Sequence, residues 1–295
     1  MRARIDVSEV VCWRLTLHCN RACVFCLSRS GPRFSHPSFD PMEVPARLAD
    51  LGVKKISFSG GEPTTFEGLP ELVERGDELG LAQALTTNGD SLEGSIPAWF
   101  GRLEHVKLSF YGDSVRHDSF MGQGHYSKQL SLARRLAAEA DLSCTANFML
   151  SRLTSAGLKR FLDDATAAGF FSVVIQTYIE NRRARIDDMH RLGQTSGVLK
   201  AVESSATEYS AFFSGGVRVH DFSQNDWLVV LDDRRRLVLP SNEQTPDHVM
   251  GDLFDTVVTT LAGDEKATPA ALEEVWEKQR YGTAIRVFPH AATAS

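Results

Sequence analysis

Along the first 180 residues two hydrophobic rhythms take turns. Short runs rich in β-branched and aromatic residues cover positions 11–17, 55–58, 82–87, 105–110, 142–148 and 171–177. Between them, apolar residues recur at helical spacing near 41–51, 69–79, 96–102, 126–140 and 155–168. Strand rhythm followed by helix rhythm, repeated, predicts a parallel sheet. The end signals agree. Asp40-Pro41-Met42-Glu43 predicts an N-cap, a proline at the first helical position and an acid in the first turn. Gly52, Gly80 and Gly169 follow helical stretches, where a left-handed residue closes a helix. Six βα units result, two fewer than a closed eight-fold barrel. With right-handed crossovers they predict an α/β fold, a partial (β/α)6 TIM-like barrel with its site at the C-terminal strand ends.

After residue 180 the alternation stops. Positions 181–214 look helical and polar, 217–220 and 227–239 look like strands, and a helix fits 269–281. The tail 291–295 should fray. The chain is therefore expected to divide into a barrel, 1–180, and a small mixed α+β region, 181–295, that caps the barrel mouth and binds substrate.

Composition narrows the classes. A chain of 295 residues can bury a substantial core. It has no N-terminal apolar run, no 18-residue apolar stretch and no lipidation motif, so a cytoplasmic protein without a membrane partner is expected. Net charge is −6, from 38 acidic and 32 basic residues. The basic block Arg234-Arg235-Arg236 follows Asp232-Asp233 and reads as a solvated turn. No nucleic-acid partner is expected, although a small phosphorylated ligand is compatible with this charge.

The cysteines change the picture most. They are Cys12, Cys19, Cys23, Cys26 and Cys144. An odd count with three clustered does not resemble a disulfide framework and points to a metal or redox centre. The cluster CNRACVFC follows the first predicted strand. Tetrahedral zinc would need a fourth ligand such as His18 or His36, and a ferredoxin-like cluster needs four thiolates. A third reading takes the count literally: three thiolates bind three irons of a cubane, and the fourth iron stays open to chelate a small molecule. The next loops favour it. Ser59-Gly60-Gly61-Glu62-Pro63 ends the second strand, where paired glycines let backbone approach a ligand. Thr86-Thr87-Asn88-Gly89 ends the third strand, and Ser109-Phe110-Tyr111-Gly112 the fourth.

In that order, these motifs resemble the radical S-adenosylmethionine (SAM) superfamily: C-x3-C-x-φ-C with Phe25 before the last cysteine, then GGEP, TNG and S-x-Y-G. The likeness covers roughly residues 10–180 and is strongest to the branch with molybdenum-cofactor and coenzyme PQQ maturases. It implies that Cys19, Cys23 and Cys26 hold one [4Fe–4S] cluster. It implies that Ser59, Gly60, Gly61 and Glu62 receive the SAM amino group, and that backbone at Phe25 meets the adenine. Ser109 would face the ribose or carboxylate, and Thr87 and Asn88 the pocket floor. Asn147 and Gln176 are candidate polar contacts, Gln176 serving equally well as barrel filler. The implied chemistry is reductive cleavage of SAM to a 5′-deoxyadenosyl radical that attacks a substrate C–H or double bond, the electron arriving from a flavodoxin or ferredoxin.

The chain also departs from that pattern. No cysteine follows Cys144, although 237–240, 251–254 and 272–276 resemble the skeleton of a cluster-bearing extension. Ser241 stands where its cysteine would be, so no auxiliary cluster is expected. The first strand begins near Val10, so no N-terminal peptide-recognition domain is expected. Together these favour a small natural-product intermediate, a sugar, nucleoside or nucleotide as in antibiotic biosynthesis. The alternatives are modification of a ribosomal peptide by epimerisation or cross-linking, an iron–sulfur electron carrier, and a structural zinc protein. Catalytic candidates are Tyr111, His117 and Cys144. His117 could equally pair with Asp118 to stabilise its loop. Cys144 lies three residues from Asn147, hence on the opposite strand face, which makes it a core residue if Asn147 points inward. Cys12 is also expected in the core, and His220 and Trp227 are expected to line a substrate pocket.

Overall fold

The computed structural model describes residues 4–7, 9–23, 25–26, 39–92, 94–178, 196–220, 230–239, 248–254, 257–260 and 285–288. His36, Trp227, Ser241 and the expected helix at 269–281 lie outside the described residues. In chain order the elements are β1 (Arg4–Val7), β2 (Val10–Thr16), α1 (Glu43–Asp50), β3 (Lys55–Gly60), α2 (Leu69–Glu78), β4 (Ala82–Thr87), β5 (His105–Phe110), α3 (Ser114–Met121), α4 (His125–Ala140), β6 (Ser143–Leu150), α5 (Leu158–Ala167), β7 (Ser172–Thr177), α6 (Ser196–Tyr209), β8 (Val217–His220), β9 (Val230–Leu231), β10 (Arg236–Leu239), β11 (His248–Asp252), β12 (Val257–Thr260) and β13 (Ile285–Phe288).

Eleven of these strands form one sheet in the order β11-β10-β9-β2-β3-β4-β5-β6-β7-β8-β13. From β9 to β8 every neighbouring pair is parallel, and the outer pairs are antiparallel. The ladder runs from β11 to β13 without closing on itself. This is the partial barrel the strand–helix rhythm predicts, with one difference. α6 and β8 add a further βα unit beyond β7, and β9 extends the other edge beside β2. The described part of the C-terminal region thus continues the barrel sheet at both edges. β8 buries apolar residues at alternate positions over four residues and β9 is only two residues long, signals too short to say which sheet they join.

Each barrel strand has two unlike faces. Val11, Trp13 and Leu15 of β2, Val106, Leu108 and Phe110 of β5, and Ala146, Phe148 and Leu150 of β6 pack into the core beneath the helices. The alternate residues, Cys12 and Arg14, His105, Lys107 and Ser109, and Asn147 and Met149, point inward. A parallel sheet buried on both sides reads as continuous apolar runs. Alternation here means that the inner face meets water or a ligand. It also corrects the expectation for Cys12, which has the parity of the inner face.

Local signals mostly hold. Gly52, Gly80 and Gly169 take φ of +83°, +71° and +77° after their helices. α1 starts two residues later than its cap signal, because Asp40 accepts from Met42 N–H (2.9 Å) and closes a turn before the helix. The expected helix at 96–102 is a five-residue 3₁₀ helix, Ala98–Arg102, entered from Pro97. The basic block sits at the β9–β10 turn as expected, but is ion-paired: Arg236 to Asp232 and Arg235 to Asp252. Among the described residues no helix is long and apolar enough to cross a membrane.

Candidate active site

β2 delivers Cys19, Cys23 and Cys26 to the C-terminal edge of the sheet. There the three thiols line an open cleft of about 260 Å3. β3 contributes Ser59 and Gly60, followed by Gly61 and Glu62; β4 and its loop contribute Thr86, Thr87 and Asn88. Ser109 and Tyr111 come from the end of β5, Asn147 and Met149 from β6, and Gln176 from β7. Phe25 completes one wall, its ring centroid 4.5 Å from Tyr111 and 5.1 Å from Phe120. Every residue expected at the cluster or at SAM therefore borders the same cleft.

The GGEP loop is shaped by close approach. A Cβ on Gly60 would lie 2.4 Å from the Thr16 carbonyl oxygen, and one on Gly61 2.0 Å from that of His18. Gly61 N–H donates to Thr16 O (2.6 Å) and Glu62 N–H to His18 O (2.9 Å). The glycines are required because the end of β2 lies against them, not merely to admit a ligand. Glu62 is buried and bridges two loops: it accepts from Thr64 N–H (3.2 Å), Thr64 Oγ (2.7 Å), Thr87 Oγ (2.7 Å) and Asn88 N–H (2.8 Å). Burial pushes its carboxyl up, and these donors pull it back down.

A second network, which sequence reasoning missed, braces the cysteine loop. Arg21 donates through Nε and Nη2 to the two Asp90 oxygens (2.5 and 2.6 Å), and through Nη1 to Met121 O (2.5 Å). Tyr111 N–H donates to His117 Nδ1 (3.1 Å), which puts the proton of neutral His117 on Nε2. That proton points at His125 Nδ1 (2.7 Å), and His125 Nε2 at Asp90 Oδ1 (3.1 Å). Burial opposes charge on Asp90, but hydrogen bonds from His125 and Arg21 hold its carboxyl well below the usual range. Burial and the His125 ring push His117 down to about 3. His117 is thus a fully buried brace rather than a group open to substrate, and Asp118 caps α4 through Gly124 N–H and Tyr126 N–H. Arg21 lies inside the cysteine motif and Asp90 directly after TNG, but nothing in a linear sequence links positions this far apart. Cys144 lies in the core beneath the helices, the place its parity relative to Asn147 implies, and so away from the cleft.

The cleft's chemistry suits an iron–sulfur group and a bound small molecule. None of the three thiols is in a disulfide. Burial pushes Cys19 up to about 11 and Cys23 up to about 12, with Glu62 and the other cysteines adding to the effect. Bare thiolates are disfavoured there, whereas a coordinated metal makes them the stable form. Among the described residues no three Cys, His, Asp or Glu side chains gather as ligands of a single ion, and His36, one of the two candidate fourth ligands for zinc, lies outside them. On the opposite wall Asn147 Oδ1 is buried without a partner among the described residues, while Nδ2 donates to Gln176 Oε1 (3.2 Å). An orphaned acceptor facing a cleft calls for a donor on whatever binds.

An open parallel barrel with three thiols at the mouth of its strand ends defines a cofactor-dependent class of α/β enzyme. The sequence profile of the Radical SAM superfamily matches residues 13–165. The chain belongs to that superfamily. It is 32% identical over 164 residues to the PqqA peptide cyclase of Granulibacter bethesdensis, covering 52% of this chain and 43% of that protein. It is 36% identical over 111 residues to a probable GTP 3′,8-cyclase of Methanothermobacter marburgensis, covering 36% of this chain and 35% of that one. The fold resembles that of Streptococcus suis SuiB bound to precursor peptide SuiA, with TM-score 0.63 and 16% identity over 80% of this chain and 60% of that chain. The chain therefore spans less than half the length of the two cyclases.

Proposed function

We propose that this chain cleaves SAM reductively and uses the resulting radical on a peptide substrate. The observation that carries the first half is the convergence of Cys19, Cys23 and Cys26 with the GGEP and TNG loops on one cleft. A [4Fe–4S] cluster held by those thiols would supply the electron that cleaves SAM into methionine and a 5′-deoxyadenosyl radical. The chain's own residues do the positioning. Glu62 ties the GGEP loop to Thr87 and Asn88, and fixes the rim on which the SAM amino group is received. Because Gly61 and Glu62 N–H are bonded to the Thr16 and His18 carbonyls, that loop meets an ammonium with carbonyl oxygens. Asn147 offers its orphaned oxygen, and Ser109 its hydroxyl, to the ribose and carboxylate. Phe25 and Tyr111 form an apolar wall that excludes water from the reacting carbon. Tyr111, alone of the three catalytic candidates, borders the cleft, which supports a role for it beside the substrate.

The peptide reading replaces the small-molecule preference drawn from the sequence. It is supported by the likeness to a PqqA peptide cyclase and to SuiB with its precursor peptide. A nucleotide substrate is the second reading, favoured by the likeness to a GTP cyclase. Residues 181–295, beyond the profile match, are assigned to substrate binding, and an external flavodoxin or ferredoxin to electron delivery. One cluster is assigned to this chain, since Cys12 and Cys144 lie apart from the three. Anaerobic reconstitution should give about four irons per chain, and dithionite with SAM should give 5′-deoxyadenosine. Cys23→Ala should lose both. A Cys23→Ala protein that still cleaves SAM overturns the assignment.

A further inference from the structure

The inner face of the barrel carries two cations that no described residue neutralises. Val106 and Leu108 lie in the core beneath the helices, as do Val217 and Val219. Lys107 and Arg218, each between two of these, therefore point inward. The register places them beside the cleft. Ser109, Asn147, Val174 and Arg218 are successive partners across β5, β6, β7 and β8, and Lys107 lies two residues before Ser109. Ser109 and Asn147 already wall the cleft.

Both side chains are half-buried, and among the described residues neither forms an ion pair. Arg218 Nε is buried without a hydrogen-bond partner among them. Burial lowers the affinity of Lys107 for its proton; the Cys12 thiol opposes this, while Arg218 and Lys55 add to it. Burial does the same to Arg218. Beneath them His105 bonds Thr145 Oγ (2.5 Å), which bonds Ser172 Oγ (2.5 Å), so the floor is neutral. Other cations at hand do have acids: Lys55 pairs with Glu104, and Arg102 with Glu74 and Asp77. In a chain with 38 acidic residues, two inward cations without a carboxylate are not a consequence of composition. Buried unpaired charge is costly, and a ligand of opposite sign removes the cost.

We propose that Lys107 and Arg218 form an oxyanion subsite that receives a carboxylate or phosphate of the substrate beneath the cleft. This rests on the reading of the cleft as the reaction site, and adds that the substrate is anionic where it enters the barrel. The guanidinium can grip either group through paired N–H donors, with the ammonium as a second point charge. The peptide reading makes the group a carboxylate, from an acidic side chain or a C-terminus.

Thermal unfolding of the reconstituted full chain, titrated with glutarate or with inorganic phosphate at constant ionic strength, tests this. Wild type should gain roughly 3–5 °C in Tm at about tenfold the Kd of the better anion. Lys107→Met should fold with unchanged or higher Tm and lose most of that gain, and Arg218→Met should behave likewise. Lys55→Met, which removes a cation paired with Glu104, should keep the gain. A larger response to glutarate assigns a carboxylate-bearing peptide, and a larger response to phosphate a phosphorylated substrate; either supports the subsite. No response in wild type, or an equal response in Lys107→Met, overturns it. Cluster content and 5′-deoxyadenosine formation without added anion are read separately, so failure here leaves the radical SAM reading standing.

Discussion

Asn147 and Phe148 are neighbours in β6 and live in different environments. Phe148 is fully buried under the helices, its ring 4.6 Å from Phe161. Asn147 borders the cleft with an acceptor that no described residue satisfies. The same division runs through the barrel: Trp13 against Arg14, Phe58 against Ser59, Leu108 against Lys107. One face satisfies itself and holds the fold. The other is left polar, partly unpaired and facing a space, which stability alone does not favour. The difference separates, residue by residue, side chains that pack the core from side chains that line the inside of the barrel.

That division can be broken from either side. Phe148→Ala should cost about 3–5 kcal/mol, read as a large fall in the denaturation midpoint. Asn147→Ala, one residue away, should lower the midpoint far less, because losing the hydrogen bond to Gln176 is offset by removing an unsatisfied buried acceptor, and should weaken SAM binding measured by calorimetry. Equal losses of stability in the two variants would show that the faces are not distinct. A smaller effect is expected where the two environments are joined. Asp90→Ala removes the acceptor shared by Arg21 and His125, and should cost about 1–3 kcal/mol. It should also lower the iron retained after reconstitution, since Arg21 lies between the cluster cysteines. The smallest effect concerns His105 on the inner floor. Burial lowers it from 6.5 to about 4. The folded form resists a proton that the unfolded chain accepts, so its stability contribution is present above about pH 6.5 and lost as pH falls towards 4. His105→Gln should flatten the stability profile across that window, and an unchanged slope would count against a buried neutral ring.

Much of the fold and of the site is legible in the linear sequence. The strand–helix rhythm predicts the parallel partial barrel, and Gly52, Gly80 and Gly169 mark their helix ends because each signal is local. The cysteine, GGEP, TNG and S-x-Y-G motifs sit at strand ends, and the βα rule alone sends strand ends to one rim. Parity places Cys144 in the core by the same local logic, and it places Cys12 inside the barrel, against the expectation of a core residue. Pairing across long separations is not legible in this way. No local signal says that Arg21 reaches Asp90, that Glu62 is consumed by Thr87 and Asn88, or that β8 and β9 join the barrel at opposite edges.

Periodicity and strand ends are properties of neighbouring positions, so linear order was enough for the rhythm, the rim and the residue types that gather there. Folding alone settled which polar groups saturate one another and which are left open. Glu62 meets four donors and is closed; Asn147 Oδ1 and the Lys107 and Arg218 cations find no such partners among the described residues. Satisfaction of a buried polar group depends on partners brought by other strands, and only the folded sheet brings them.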